Sequence, residues 1–181
     1  MNKVIAIVGM CGAGKSVACE YFENIGYQKI YFGGVTMDKL HEMNLEVTPE
    51  NEKIIRESLR KEYGMGAYAV MLLPKINEAL KNNNVVLDGL YSWSELKILE
   101  EHFKDQLKVI AITCDKKIRY ERIGKRDIRP FTKDEAKTRD IGEIEKLEKG
   151  GPISYADYFV LNNGTIAEFN DRLGQILEDI D

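Results

Sequence analysis

Gly9-Met10-Cys11-Gly12-Ala13-Gly14-Lys15-Ser16 decides the reading of this chain. A glycine, four residues and then Gly-Lys-Ser form the phosphate-loop pattern, in which several backbone N–H groups turn inward on one set of phosphate oxygens. Only glycine turns that tightly and lets the backbone approach that closely, which accounts for Gly9, Gly12 and Gly14. Lys15 would reach the β- and γ-phosphates of a nucleoside triphosphate as a point charge, and the Ser16 hydroxyl would become a ligand of the Mg²⁺ that bridges them. With Ala13 in the loop and Val17 in the turn that follows, these residues form the expected ATP-binding set.

Working outward, Val4-Ile5-Ala6-Ile7-Val8 is an unbroken apolar run, as expected of a parallel strand buried on both faces. Ser16 opens a helical run with Val17, Ala18, Tyr21 and Phe22, so the partly positive end of that helix faces the anion. Strand, glycine loop and helix stand in the required order. The alternative, a glycine-rich turn without a ligand, leaves Lys15-Ser16 unexplained.

The pattern repeats along the 181 residues. Strands are expected over 29–32, 85–89, 107–113 and 158–161, and helices over 36–43, 48–63, about 67–81, 93–103 and 116–126, with an amphipathic helix closing the chain from Ile166. Thr48-Pro49-Glu50 is a strong helix start, with a hydroxyl cap, proline in the first turn and acids beside it. Strands alternating with helices imply right-handed crossovers and a five-stranded parallel sheet, doubly wound, in one α/β domain over 1–181. Two excursions leave that frame: residues 33–82, expected to bind an acceptor, and a polar segment, 126–151, expected to be a helical lid.

Composition narrows the function. At 44% hydrophobic residues the chain buries one good core, and a net charge of −4 from 26 basic and 30 acidic side chains does not suggest a surface for nucleic acid. No apolar run approaches a membrane span, and Met1-Asn2-Lys3 leads straight into the first strand, so the expectation is a cytoplasmic protein without a membrane partner, a monomer or homodimer acting on small molecules. Cys11, Cys19 and Cys114 form no CxxC pair and read as reduced thiols.

Ligands of a doubly wound sheet bind beyond the carboxyl ends of the strands, where the phosphate loop, Gly33-Gly34, Asp88-Gly89 and Cys114-Asp115 converge. Asp88 ends an apolar strand, the position from which phosphate-loop enzymes hold Mg²⁺; an ordinary Asp-Gly turn is the other reading. Arg119, Arg122 and Arg126 share one helical face, with Arg139 further on. Like charges repel and a triphosphate would relieve the repulsion, Arg122 and Arg126 being the stronger candidates; pairing with Glu121, Asp127 and Asp140 on a solvated face is the alternative. Arg56 and Arg60 are a second pair spaced by four, either an acceptor-binding pair or, for Arg56, an ion pair with Glu52. Tyr91 and Gly33 stand at strand ends beside them.

Gly9-x-x-Gly12-x-Gly14-Lys15-Ser16 and Glu121-Arg122-Ile123-Gly124-Lys125-Arg126 together resemble the phosphate-loop nucleotide kinases, with adenylate kinase and dephospho-CoA kinase as the nearest known types. Thr48-Pro49-Glu50-Asn51, Leu59-Arg60, Gly64-Met65 and Ala156-Asp157-Tyr158 are similar to the adenylate-kinase-related or dephospho-CoA-kinase-like proteins. The resemblance implies that Arg122 packs on the donor adenine, Arg126 contacts its phosphates, Arg139 returns from the lid, and Asn162-Asn163-Gly164 lies beside the adenine. It departs on the acceptor side. Gly33-Gly34 and Asp88-Gly89-Leu90-Tyr91 stand where adenylate kinases carry Gly-Asp and an arginine, and where dephospho-CoA kinases carry an aspartate after the second strand. The expectation is an ATP- and Mg²⁺-dependent phosphotransferase, with Lys15, Arg122, Arg126 and Asp88 catalytic, Ser16 and Asp88 at the metal, and Arg56, Arg60, Gly33 and Tyr91 at the acceptor. A nucleoside monophosphate is the leading acceptor, a ribose hydroxyl the second, and an adenine-nucleotide switch the rival of another class.

Overall fold

A computed structural model describes residues 1–180. Its frame is one parallel sheet of β1 (Val4–Val8), β2 (Gln28–Tyr31), β3 (Val85–Asp88), β4 (Leu107–Thr113) and β5 (Tyr158–Leu161), in the order β2-β3-β1-β4-β5. The apolar run of β1 sits at the centre, between β3 and β4, and none of its five residues has measurable exposure. Alternation divides that run. Val4, Ala6 and Val8 face one core and Ile5 and Ile7 the other.

The first core is covered by α2 (Gly34–Glu42), α3 (Pro49–Tyr63), α4 (Ala67–Ala79) and α5 (Trp93–Phe103), through Leu40, Leu59, Ile76 and Leu96 among others. The second is covered by α1 (Lys15–Asn24) and α9 (Ile166–Ile180), through Phe22, Phe169 and Leu173. Thr48 caps α3 as its residues predict, its side chain accepting the Asn51 amide at 3.2 Å.

Several expected boundaries shift, β3 ending at Asp88 rather than Gly89 and α4 at Ala79 rather than near residue 81. The second strand begins at Gln28 and ends at Tyr31, the next helix begins at Gly34, and α6 (Lys116–Gly124) stops before Arg126. The polar stretch after it is structured. Its helix α7 (Lys133–Glu145) opens on a reciprocal cap between Thr132 and Glu135, a pattern its residues carry, and a short α8 (Gly150–Ser154) follows. Buried Ala136, Asp140 and Glu143 seat α7 against the body.

Candidate functional site

The phosphate loop joins β1 to α1 at the carboxyl edge of the sheet. Gly12 needs its glycine on two counts: its φ is +82°, and a Cβ there would meet Ile123 of α6 at 2.7 Å and the Arg119 carbonyl at 2.9 Å. The far end of the loop is braced by Asn162 after β5, whose side-chain amide donates to the Ala13 carbonyl at 2.8 Å while its backbone carbonyl accepts from Arg122 at 2.9 Å. The Asn162 side chain is therefore engaged with the loop backbone.

Lys15 Nζ donates to the Met10 carbonyl at 3.1 Å. Burial, with Lys149 beside it, lowers its pKa to about 8, against the pull of Glu143, Cys11 and Asp88. Asp88 ends β3 and lies on the α1 side of the sheet, two residues after Val86. Burial raises its carboxyl above the usual carboxylate range, with Lys15 and Lys29 opposing. Lys15 and Asp88 thus interact electrostatically where the central strands end, with Ser16 next to Lys15 in the chain.

Two chambers flank the loop. The first, of about 620 Å³, is lined by Gly12, Gly14, Lys15, Ser16, Val17, Arg122, Lys125, Arg126, Asp127 and Ile128. This one opening brings together the loop, Arg122 of α6 and Arg126 just beyond it. Arg126 is exposed and reaches toward Cys11 Sγ at 3.8 Å, whereas Arg122 also lies 3.5 Å from Cys114 Sγ. Arg119, the third residue of that face, turns inward and pairs with Asp140.

The second chamber, of about 390 Å³, lies between α2, α3 and the segment that carries Arg129, Arg139 and Leu147. Its lining includes Gly33, Tyr91, Arg56 and Arg60, together with Tyr31, Tyr68, Arg129 and Arg139. Glu52 holds Arg56 at 3.1 Å and Arg129 at 3.5 Å. Arg60 forms no ion pair among the described residues; it lies over the Tyr68 ring, and its Nε is buried without a hydrogen-bond acceptor. Tyr68 in turn shares a 2.6 Å hydrogen bond with Thr36.

Sequence reasoning missed what joins the chambers. Glu143 of α7 accepts from the Cys11 amide at 3.3 Å, from Lys149 Nζ at 2.8 Å and from Arg139 Nε at 2.9 Å. Glu143 and Lys149 are almost fully buried, and Lys149 Nζ stands 4.7 Å from the centre of the Tyr91 ring. Burial tends to raise the Glu143 carboxyl, but Lys149 and Arg139 outweigh it and hold the carboxyl below its ordinary range. No spacing in a charged tract such as Glu143-Ile144-Glu145-Lys146-Leu147-Glu148-Lys149 marks which acid and which base turn inward. The Arg139/Glu143 spacing of four was the one available signal.

Taken together, the strand order, the loop and the chambers define a phosphate-loop kinase-like α/β protein. Residues 5–144 match the family model described as "AAA domain". A UPF0200 protein of Pyrococcus horikoshii is 32% identical over 98% of this chain and 97% of its own length, and the chain belongs to that family. A UPF0200/UPF0201 protein of Archaeoglobus fulgidus is 35% identical over 97% of this chain, which spans only 55% of that relative. Among solved structures, a shikimate kinase of Bacteroides thetaiotaomicron superposes with a TM-score of 0.62 at 17% identity, covering 97% of this chain and 98% of its own. A dephospho-CoA kinase of Campylobacter jejuni gives 0.57 at 19%, covering 99% and 98%. These two likenesses concern the fold. No helix among the described residues is long and apolar enough to cross a membrane.

Proposed function

We propose that this protein is an ATP- and Mg²⁺-dependent small-molecule kinase that moves the γ-phosphoryl group to a nucleotide-like acceptor bearing its own phosphate, a nucleoside monophosphate in the leading case. The observation that carries the reading is the second chamber. Four arginines line it, and Arg60 keeps a buried N–H without an acceptor. Guanidinium groups bind phosphate oxygens two at a time, and an unpaired buried donor favours a ligand that accepts from it.

A phosphate acceptor is already ionised near neutral pH and needs no base, whereas a ribose hydroxyl profits from one. Gly33 offers none after β2, and the Glu52 carboxylate is engaged by Arg56 and Arg129. This favours the monophosphate over dephospho-CoA-like chemistry. Asp88 or Asp38 would have to serve as base in the second case.

The donor triphosphate would lie in the first chamber, its phosphates on the loop amides and Lys15, its base against Arg122 near Asn162. Ser16 and Asp88 offer a hydroxyl and a carboxylate, the hard oxygen donors that Mg²⁺ prefers. No group of three or more His, Cys, Asp or Glu side chains among the described residues forms a metal cage, which suits an ion brought in with nucleotide phosphates. Such an ion would neutralise charge on the phosphates. Lys15, Arg122 and Arg126 would stabilise the charge spread over the transferred group, and residues 126–151 would close as a lid that excludes water.

The test is ADP formation from Mg·ATP against ribo- and deoxynucleoside monophosphates, dephospho-CoA and free nucleosides, with Lys15→Ala as control. Stimulation by a monophosphate, abolished in the control, is the expected result. Stimulation by dephospho-CoA alone moves the reading to a hydroxyl acceptor. Slow hydrolysis indifferent to every acceptor sinks the kinase and leaves the nucleotide-dependent switch.

A further inference from the structure

The reading above uses Arg139 only as part of a chamber wall and gives no role to the buried pair it meets, Glu143 and Lys149. One carboxylate gathers a backbone N–H of the phosphate loop, an ammonium and a guanidinium: Cys11 N, Lys149 Nζ and Arg139 Nε, at 3.3, 2.8 and 2.9 Å. Loop amide, lysine and arginine are the donors that phosphate-loop enzymes direct at a phosphoryl group.

The place matters as much as the composition. Lys149 and Glu143 both act electrostatically on Lys15, the residue that serves the β- and γ-phosphates in such loops. On the other side, Arg139 and Tyr91 belong to the wall of the arginine-rich chamber, and Lys149 stands over the Tyr91 ring. The Glu143 carboxylate therefore lies between loop and acceptor chamber, on the line a phosphoryl group must cross. A single Cys11 N–H cannot serve a carboxylate and a phosphate at full strength together, and two anions cannot share that position without strong repulsion.

We propose that the Glu143 carboxylate holds the place of the transferred phosphoryl group, that the γ-phosphate of ATP displaces it from the Cys11 amide, and that Lys149 is a second catalytic lysine, contacting that group beside Lys15. The inference rests on the kinase reading. Exchange of one anion for another keeps Lys149 and Arg139 partnered throughout, so neither buried cation is stranded when the lid rearranges. It also makes the site sensitive to the third phosphate, because ADP does not reach the position Glu143 holds.

Calorimetric titration of the full chain with Mg·ADP and with Mg·AMP-PNP, a non-hydrolysable ATP analogue, tests it. In Glu143→Gln, and in Glu143→Asp, which keeps the charge but shortens its reach, preference for AMP-PNP over ADP should rise about tenfold over wild type. In Lys149→Met it should fall by a similar factor, with ADP affinity little changed. Preference unchanged in both Glu143 variants, or falling as it does in Lys149→Met, overturns the inference.

Should the variants fail to fold, the unmutated protein decides. The Glu143 side-chain carboxyl resonance should move on AMP-PNP binding and stay put with ADP, and an equal response to both is the overturning result. Wild-type protein that binds neither nucleotide refutes the kinase reading itself; binding of both with unaltered preference refutes only this inference.

Discussion

Arg119 and Asp140 meet as a two-point ion pair, Nη2 to Oδ2 at 2.7 Å and Nη1 to Oδ1 at 3.0 Å, with both side chains almost excluded from solvent. The same Nη1 donates to the Cys11 carbonyl at 2.8 Å, and Tyr120 adds its hydroxyl to Asp140 at 3.1 Å. One guanidinium thereby links α6, α7 and the phosphate loop. Removing one partner of such a buried pair strands the other charge, at a cost of about 3–5 kcal/mol. Asp140→Asn should lower stability by that order in denaturant titration, and Arg119→Met/Asp140→Leu should lie closer to wild type than either single change. Additive losses would show that the pair is not a unit.

Glu143 makes a pH-dependent contribution whose sign follows from its environment. Its folded carboxyl is held below the ordinary value of 4.5, so the stabilisation is fully present above that pH and is lost as pH falls through the lower folded value. Stability curves of wild type and Glu143→Gln should therefore run apart at neutral pH and converge in acid. A gap constant from pH 7 down to pH 3 would contradict the ion-paired geometry.

Burial disfavours the charged form of Lys15, and bound nucleotide phosphates would offset that. Mg·ATP at a hundredfold excess over its dissociation constant should stabilise the wild type by about 2.7 kcal/mol, and Lys15→Ala should lose most of this shift without unfolding. Thermal melts with and without nucleotide measure both. An equal ATP shift in the variant would remove Lys15 from the donor site.

Arg60 and Arg56 should separate kinetically. Arg60 has no ion pair among the described residues, so Arg60→Met should raise KM for whichever acceptor stimulates ADP formation about 10- to 100-fold, with KM for ATP nearly unchanged. Arg56 is already bound to Glu52, and its loss should matter less. Equal effects on both substrates would place Arg60 outside the acceptor chamber.

Residues 126–151 should show slower amide exchange with Mg·ATP bound than without it. The strongest response is expected over 126–132, because Asp140, paired with Arg119, ties α7 to the body with or without nucleotide. An unchanged profile would remove the lid.

What the linear sequence determined was everything that depends on near neighbours. Five apolar runs, a glycine loop between the first run and an amphipathic helix, and Thr48-Pro49 at the head of α3 each act over a few residues, so periodicity and local chemistry made fold class, phosphate loop and most element positions legible. Arg56 and Arg60 were legible as a spaced pair on one helix, and Gly33 and Tyr91 as residues near strand ends, but that the four line one cavity is a tertiary fact.

Tertiary structure alone decided which charges turn inward. Arg119, Arg122 and Arg126 look alike along the helix, yet Arg119 is buried against Asp140 while Arg126 stays in solvent. Glu143 and Lys149 belong to a tract of similar acids and bases and became a buried pair only where α7 crosses the phosphate loop. The physical reason is that burying a charge costs far more than exposing it unless a partner is fixed at hydrogen-bonding distance. For Glu143 the charged partners, Lys149 and Arg139, are near in sequence, but the site where they converge also takes in the Cys11 amide 132 residues away, a contact that no local pattern encodes.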